Sequence, residues 1–381
     1  MKLIKSIIYL SFIMVTLGSC SKDLNIDTPD QFSDENFWKN ENNVRSYNWG
    51  FYDLFVGFGT GTTADFYFSS LTDDQNASTF QNFVLTPPTT STDWSWTYIL
   101  KANIMLERID KVDMSPEAKN HWRGVARFFR AMDYFNKVKL YGGVPFINKS
   151  LDISENDVIY KARDPRTLVM DSVLADINYA VENIRVTDLE NTVNKNVALA
   201  LKARIGLYEG SYRVYHTELN LPDAAKFLTA GKEASEQLLT GKYTLGNYKE
   251  LYSSMDLAKN TEVILYKRYI SGVMTHSVIG YTNSTTQMSG LTKSAVESYL
   301  TVDGLPISQS PLYKGDNTIK DVRENRDRRL LATIGNYLAY NGSTSVKSDT
   351  VSAGLNSTTG YMPTKFLQPA SIQLAPNNET D

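Results

Sequence analysis

Five stretches between residues 97 and 239 repeat their apolar side chains at the spacing of a single helix face, with turn residues between them. Ile99, Ala102, Leu106 and Ile109 make the first stripe. Trp122, Val125, Phe129, Met132 and Phe135 make the second, stopped at "YGGVPF" by two glycines and a proline. The third opens with Asp164 as N-cap and Pro165 at the first helical position, then runs through Val169, Val173, Ile177, Val181 and Ile184. "NVALALKARIGLYEGSY" is the fourth, where Ala198, Ala200, Ala203 and Gly206 let a neighbouring helix come close. Pro222 to Leu239 supply the fifth, with Phe227, Ala234 and Leu238 inward. An earlier helix runs from Glu41 to Val56 on Val44, Phe51 and Phe55 and is broken by "GFGTGTT".

Consecutive helices, each apolar on one stripe, predict an antiparallel array of the tetratricopeptide kind, although the repeat period varies. In such an array the last helix, 223–239, leaves an apolar face including Phe227 and Leu238 uncovered unless something packs on it. From about residue 241 the texture changes. "GKYTL" and "EVILYKRYI" read as short strands and "TKSAVESYL" as an isolated helix. The fold class predicted is therefore mostly α, a tetratricopeptide-like helical-pair scaffold with an irregular α+β second subdomain. The expected division is a leader at 1–19, the helical region at 20–240 and the irregular region at 241–381.

Cys20 is the only cysteine, so it makes no internal disulfide. It follows Lys2, Lys5 and an apolar run from Ile7 to Leu17 that is too short to span a bilayer. Leu17-Gly18-Ser19-Cys20 matches a bacterial lipobox of the L-[AS]-[GA]-C type, relaxed at its middle positions. Cys20 is expected to carry diacylglycerol and to become the first residue of the mature chain, anchored by its acyl chains.

The composition excludes several functions. A net charge of −3 gives no general attraction to nucleic acid. The one basic cluster, "KDVRENRDRR" at 320–329, alternates with acids and reads as a solvated, salt-bridged face. The three histidines are scattered without metal-ligand spacing, and neither a P-loop nor GxSxG occurs. "GFGTGT" follows a helix, the wrong context for a dinucleotide fingerprint. No cofactor or metal is expected. Paired carboxylates need no motif, and Asp73-Asp74 is the most suggestive pair for a hydrolase.

In order along the chain, several motifs resemble the SusD/RagB family of Bacteroidetes outer-membrane nutrient-binding lipoproteins. "CSKDLNIDTPDQFSDENFW" is similar to the family's start, and "WSWTYILKANIMLERID" to its W-x-x-x-Y…A-N helix through Trp94, Tyr98, Ala102 and Asn103. "WRGVARFFRAMDYFNKVKLYGGVPF" resembles its most diagnostic stretch, departing at Val125, where a Glu and its helix-surface contact are usual. "VNKNVALALKARIGLYEGSY", "GKYTLGNYKELYS", "NTEVILYKRY" and "SYLTVDG…RDRRLLATI" follow in family order. The resemblance implies a helical tetratricopeptide-like scaffold, a lipid anchor in the outer membrane facing the cell exterior, and a SusC-like TonB-dependent β-barrel transporter as partner. It implies capture of oligosaccharide or polysaccharide, or of peptides in some branches, without chemistry. It also implies a further C-terminal helical segment, about where this sequence stops at "NNETD". A lipid-anchored hydrolase and a purely structural or adhesive repeat are the rival classes.

Neutral sugars are held by aromatic faces and a few hydrogen-bonding groups. The long irregular stretch 58–96 offers Phe80, Phe83 and Trp96 with Asp73, Asp74, Gln75 and Asn82. Trp94 belongs to the helix motif and is assigned to the scaffold, leaving Trp96 as the platform. The resemblance places 269–290 on the same face, which adds Tyr281. The bland alternative is that these rings only pin the loop to the helices.

Overall fold

Ser115 starts the longest helix by accepting a hydrogen bond from the Ala118 N–H (3.1 Å), with Pro116 at the first position and Glu117 in the first turn. The protein's structure is a computed structural model that describes residues 34–58, 72–77, 89–241, 243–270, 273–276, 278, 289–340, 343–346, 349–351 and 357–367. Its helical part comprises α1 (Glu41–Trp49), α2 (Thr97–Arg108), α3 (Pro116–Tyr141), α4 (Arg166–Asn183), α5 (Lys195–Tyr215) and α6 (Ala224–Leu239). α3 lies between α2 and α4, α4 packs on α5, and α5 on α6. The protein is thus mostly helical, with antiparallel neighbours packed in sequence.

The core of this part is centred on α3. Trp122, Phe128, Phe129, Tyr134 and Phe135 are buried there, and Phe51 stacks on Phe129 at 5.0 Å. Val125, the position that departs from the family pattern, is buried in this core and so makes no surface contact. A large apolar side chain contributes about 1.5–3 kcal/mol when buried in this way.

One buried polar network crosses the core. Arg130 donates to both oxygens of Asp176 (2.7 and 2.8 Å) and to Asn103 Oδ1 (2.8 Å). Asn103 Nδ2 then donates to the carbonyls of Ile147 and Lys149. α2, α3, α4 and the chain after α3 are thereby tied to one guanidinium. Arg166 and Arg213 converge likewise on buried Glu209, joining α4 to α5.

Two helix-end expectations need correction. α4 follows Pro165 with no side-chain cap, because the Asp164 carboxylate accepts from the Phe146 N–H (2.6 Å) and pairs with Lys161 instead. Phe227 is fully buried against α5 and Leu238 partly so, so neither forms an uncovered face on α6. Glycines bring the two helices together: α5 and α6 touch backbone to backbone at Gly206 and Gly231.

Beyond α6 come α7 (Tyr248–Ser253), α8 (Lys293–Glu297), α9 (Ile319–Arg323) and α10 (Arg328–Thr333). Three two-stranded antiparallel ladders accompany them: β1 (Gln75–Ala77) with β2 (Ser289–Leu291), β3 (Ile334–Gly335) with β6 (Met362–Pro363), and β4 (Tyr337–Tyr340) with β5 (Ser343–Val346). A second cluster of Val296, Ile319, Val322, Leu330, Ile334 and Tyr361 holds this part.

Neither stretch expected as a strand, at 241–245 and 262–270, forms one among the described residues. The second is a strap secured by side chains. Asn191 takes both the N–H and the carbonyl of Tyr266, and Lys267 Nζ donates to the carbonyls of Phe55 and Val56. The basic cluster is not uniformly solvated either. Arg326 is 2% exposed and donates to the carbonyls of Val296, Tyr299 and Val322, at the C-terminal ends of α8 and α9.

Candidate functional site

α3 stops because Gly142 adopts φ 73° and ψ −127°, which a side chain disfavours. The returning chain packs Phe146 on Tyr134 at 5.0 Å between ring centroids. The Tyr134 hydroxyl donates to the Ile147 carbonyl (2.9 Å) and accepts from the Ile147 N–H (2.7 Å). Burial raises its pKa, so it stays a neutral phenol in this role.

A ladder of rings leads outward from Tyr134. Trp96 meets it edge to face at 6.1 Å, Trp94 meets Trp96 at 5.4 Å, and Trp94 meets Tyr141 at 4.8 Å and 89°. Trp96 is half-buried against the core, with Lys137 Nζ 5.6 Å from its ring and that lysine paired to Asp133 (3.0 Å). Burial raises the Asp133 pKa, the effect opposed by Lys137. Trp94 is 36% exposed. Of the two tryptophans, Trp96 is thus the inner ring and Trp94 the outer one.

Polar groups surround the outer ring. The Tyr141 hydroxyl donates to Ser91 Oγ (2.9 Å), and an open pocket of about 470 Å³ lies beside Thr90, Ser91 and Thr92. Arg163 Nη1 donates to the Tyr141 carbonyl (2.7 Å), and its guanidinium carbon stands 5.8 Å from the Trp94 ring centroid. An exposed aromatic surface, hydroxyls and a fixed guanidinium are suited to holding a polyhydroxylated ligand.

Asp73 and Asp74 belong elsewhere. Their backbone carbonyls accept from Thr292 Oγ1 and the Thr292 N–H, docking the turn before β1 on the start of α8. Their side chains are exposed. Gln75 is buried in β1. Cys20, Phe80, Asn82, Phe83 and Tyr281 lie outside the described residues. Ser91, Tyr141 and Arg163 were not singled out in the sequence. The two-residue spacing of Trp94 and Trp96 gave no signal of an inner and an outer ring, because residues two apart in an extended chain share one side. Among the described residues no group of three or more His, Cys, Asp or Glu side chains is placed to hold a metal ion.

Residues 27–207, covering α1 to most of α5, match the family model described as SusD-like, starch-binding, associating with the outer membrane. This stretch belongs to the SusD-like family. It is similar to the SusD-like protein P38 of Formosa agariphila, 29% identical over 233 residues, covering 58% of this chain and 46% of that one. A second SusD-like protein of that organism, P25, is 25% identical over 235 residues, covering 55% and 44%. The chain therefore spans about half the length of these curated relatives.

Solved structures share the SusD-like fold. A SusD-like carbohydrate-binding protein of Bacteroides fragilis superposes with a TM-score of 0.66 at 19% identity, covering 87% of this chain and 68% of its own. A laminarin-binding SusD-like protein superposes at 0.62 and 18% identity, covering 90% and 75%. No helix among the described residues is long and apolar enough to cross a membrane.

Proposed function

We propose that this SusD-like chain captures oligosaccharide or polysaccharide at the outer end of the Trp96–Trp94–Tyr141 ladder and hands it, without chemical change, to a TonB-dependent outer-membrane transporter. Cys20 anchors it by lipid to the outer membrane, facing the exterior. Residues 20–240 supply the helical scaffold and 241–381 the irregular region above it. The observation that carries the reading is the exposed Trp94 ring, held edge to face on Tyr141 beside the Ser91 hydroxyl. A pyranose presents a C–H face that stacks on an indole and hydroxyls that hydrogen-bond at its rim. Trp96 serves as the ring that holds Trp94 in place. The carbohydrate-binding and laminarin-binding relatives support the ligand class.

The test is native affinity electrophoresis through gels containing laminarin, starch and a panel of further polysaccharides. Retention that Trp94→Ala abolishes with an unchanged melting temperature is the expected result. Retention of a peptide library with none of any polysaccharide, or turnover of a retained polymer, would overturn the reading.

A further inference from the structure

The proposed glycan site carries an arginine, Arg163, with no carboxylate partner among the described residues. Arg45, Arg123, Arg130, Arg166, Arg185 and Arg213 are each engaged with carboxylates in the helical part. Arg163 is not. Its Nη1 is fixed by the carbonyls of Tyr141 and Gly143 at the end of α3, at 2.7 and 3.5 Å. Asp164, the next residue, is committed to Lys161 and the Phe146 N–H. Among the described residues no carboxylate lies within ion-pair distance of Arg163. Its side chain is exposed, and its guanidinium stands 5.8 Å from the ring centroid of Trp94.

We infer that the site selects anionic glycans, those bearing a uronate carboxylate or a sulfate, and that Arg163 is the specificity-determining residue. The inference rests on the proposed glycan site around Trp94. One N–H of the guanidinium is tied to the helix end, which orients the fork. The remaining N–H groups make no hydrogen bond among the described residues, and the guanidinium lies over the Trp94 ring. A planar fork matches a carboxylate or sulfate bidentately, and such charge-assisted hydrogen bonds are stronger than neutral ones. With Trp94 for the sugar C–H face and Ser91 for a hydroxyl, the site covers the three chemical features of an acidic pyranose.

The experiment uses the full chain and matched polymers: polygalacturonate, alginate and a sulfated galactan, each beside its carboxyl-reduced or desulfated form. Affinity gels are run at low and high sodium chloride for the wild type, Arg163→Gln and Arg163→Lys, with thermal melts alongside. The expected result is that at least one anionic polymer retains the wild type roughly tenfold more tightly than its neutral form. Salt weakens that preference, Arg163→Gln abolishes it at unchanged melting temperature, and Arg163→Lys keeps the salt dependence with weaker retention. Equal retention by the neutral forms, or a preference that survives Arg163→Gln, overturns this inference and leaves the glycan reading standing. If no polymer in this set or in the neutral panel is retained, both fall.

Discussion

Gly206 and Gly231 put the backbones of α5 and α6 in contact: a Cβ on Gly206 would stand 2.5 Å from both the Gly231 nitrogen and the Phe227 carbonyl oxygen. Backbone atoms do not move aside as the end of a flexible side chain does. Gly206→Ala therefore forces the helices apart, and overpacking of this kind costs about 1–3 kcal/mol, partly offset by the better helix propensity of Ala. A Cβ on Gly231 meets its nearest atom at 3.0 Å, so Gly231→Ala is expected to cost less. Urea titrations of both variants give the order, and an unperturbed Gly206→Ala would contradict the contact.

His121 makes stability depend on pH. The ring is buried against Trp122, and Nδ1 accepts the Arg185 N–H (3.2 Å), so protonating that nitrogen would set two donors face to face. Burial, reinforced by the Arg185 charge, lowers its pKa from 6.5 to about 4. The unfolded chain then binds the proton first. Stability is complete above about pH 6.5, falls as pH drops towards about 4, and loses up to roughly 3 kcal/mol across that window.

The paired carboxylates Glu41, Glu117 and Asp188, all held below their usual range, add their own losses as pH falls through their ordinary range, overlapping the lower end of this window. Asp133, held above its usual range, acts in the opposite sense. The measurement is therefore the difference between wild type and His121→Gln from pH 4 to 7. A difference that does not vary with pH would exclude the mechanism.

Breaking the buried network from one side should be costly. Asp176→Ala leaves Arg130 buried with only Asn103 to accept from it, and an uncompensated buried charge costs about 3–5 kcal/mol. Replacing both partners, Arg130→Met with Asp176→Leu, should recover much of that loss. Calorimetric melts of the single and double variants test this, and additive losses would argue against it.

The two tryptophans should separate stability from binding. Trp96→Ala removes a ring packed on Tyr134 and carries a large share of the 3–5 kcal/mol typical of a core aromatic. Trp94→Ala removes an exposed ring and is expected to cost under about 1 kcal/mol. Equal melting temperatures for the two variants would contradict the inner and outer assignment.

Cys20→Ser tests the anchor. Without the thiol there is nothing to alkylate, so fatty-acid labelling should disappear and the precursor should stay uncut. Equal label in the variant would exclude lipidation at Cys20.

The helices α2 to α6 were legible in the sequence because a helix burying one face must repeat its apolar residues at about 3.6, and their order followed from that period. So did the close approach of α5, carried by Gly206. The second part was not legible. The apolar run "EVILYKRYI" satisfies a strand pattern, yet among the described residues it pairs with no strand beyond one bridge from Ile270 to Met274; Asn191 takes the backbone of Tyr266, and Lys267 ties the run to Phe55. Pairing is a property of two segments, and a single sequence stretch holds only one of them. The site shows the same limit. Sequence brought Trp94 and Trp96 into view but not their burial, because which ring turns inward depends on where Tyr134 and Tyr141 stand on the far helix. Arg163 drew no notice, since nothing in the sequence shows that its side chain meets no carboxylate among the described residues.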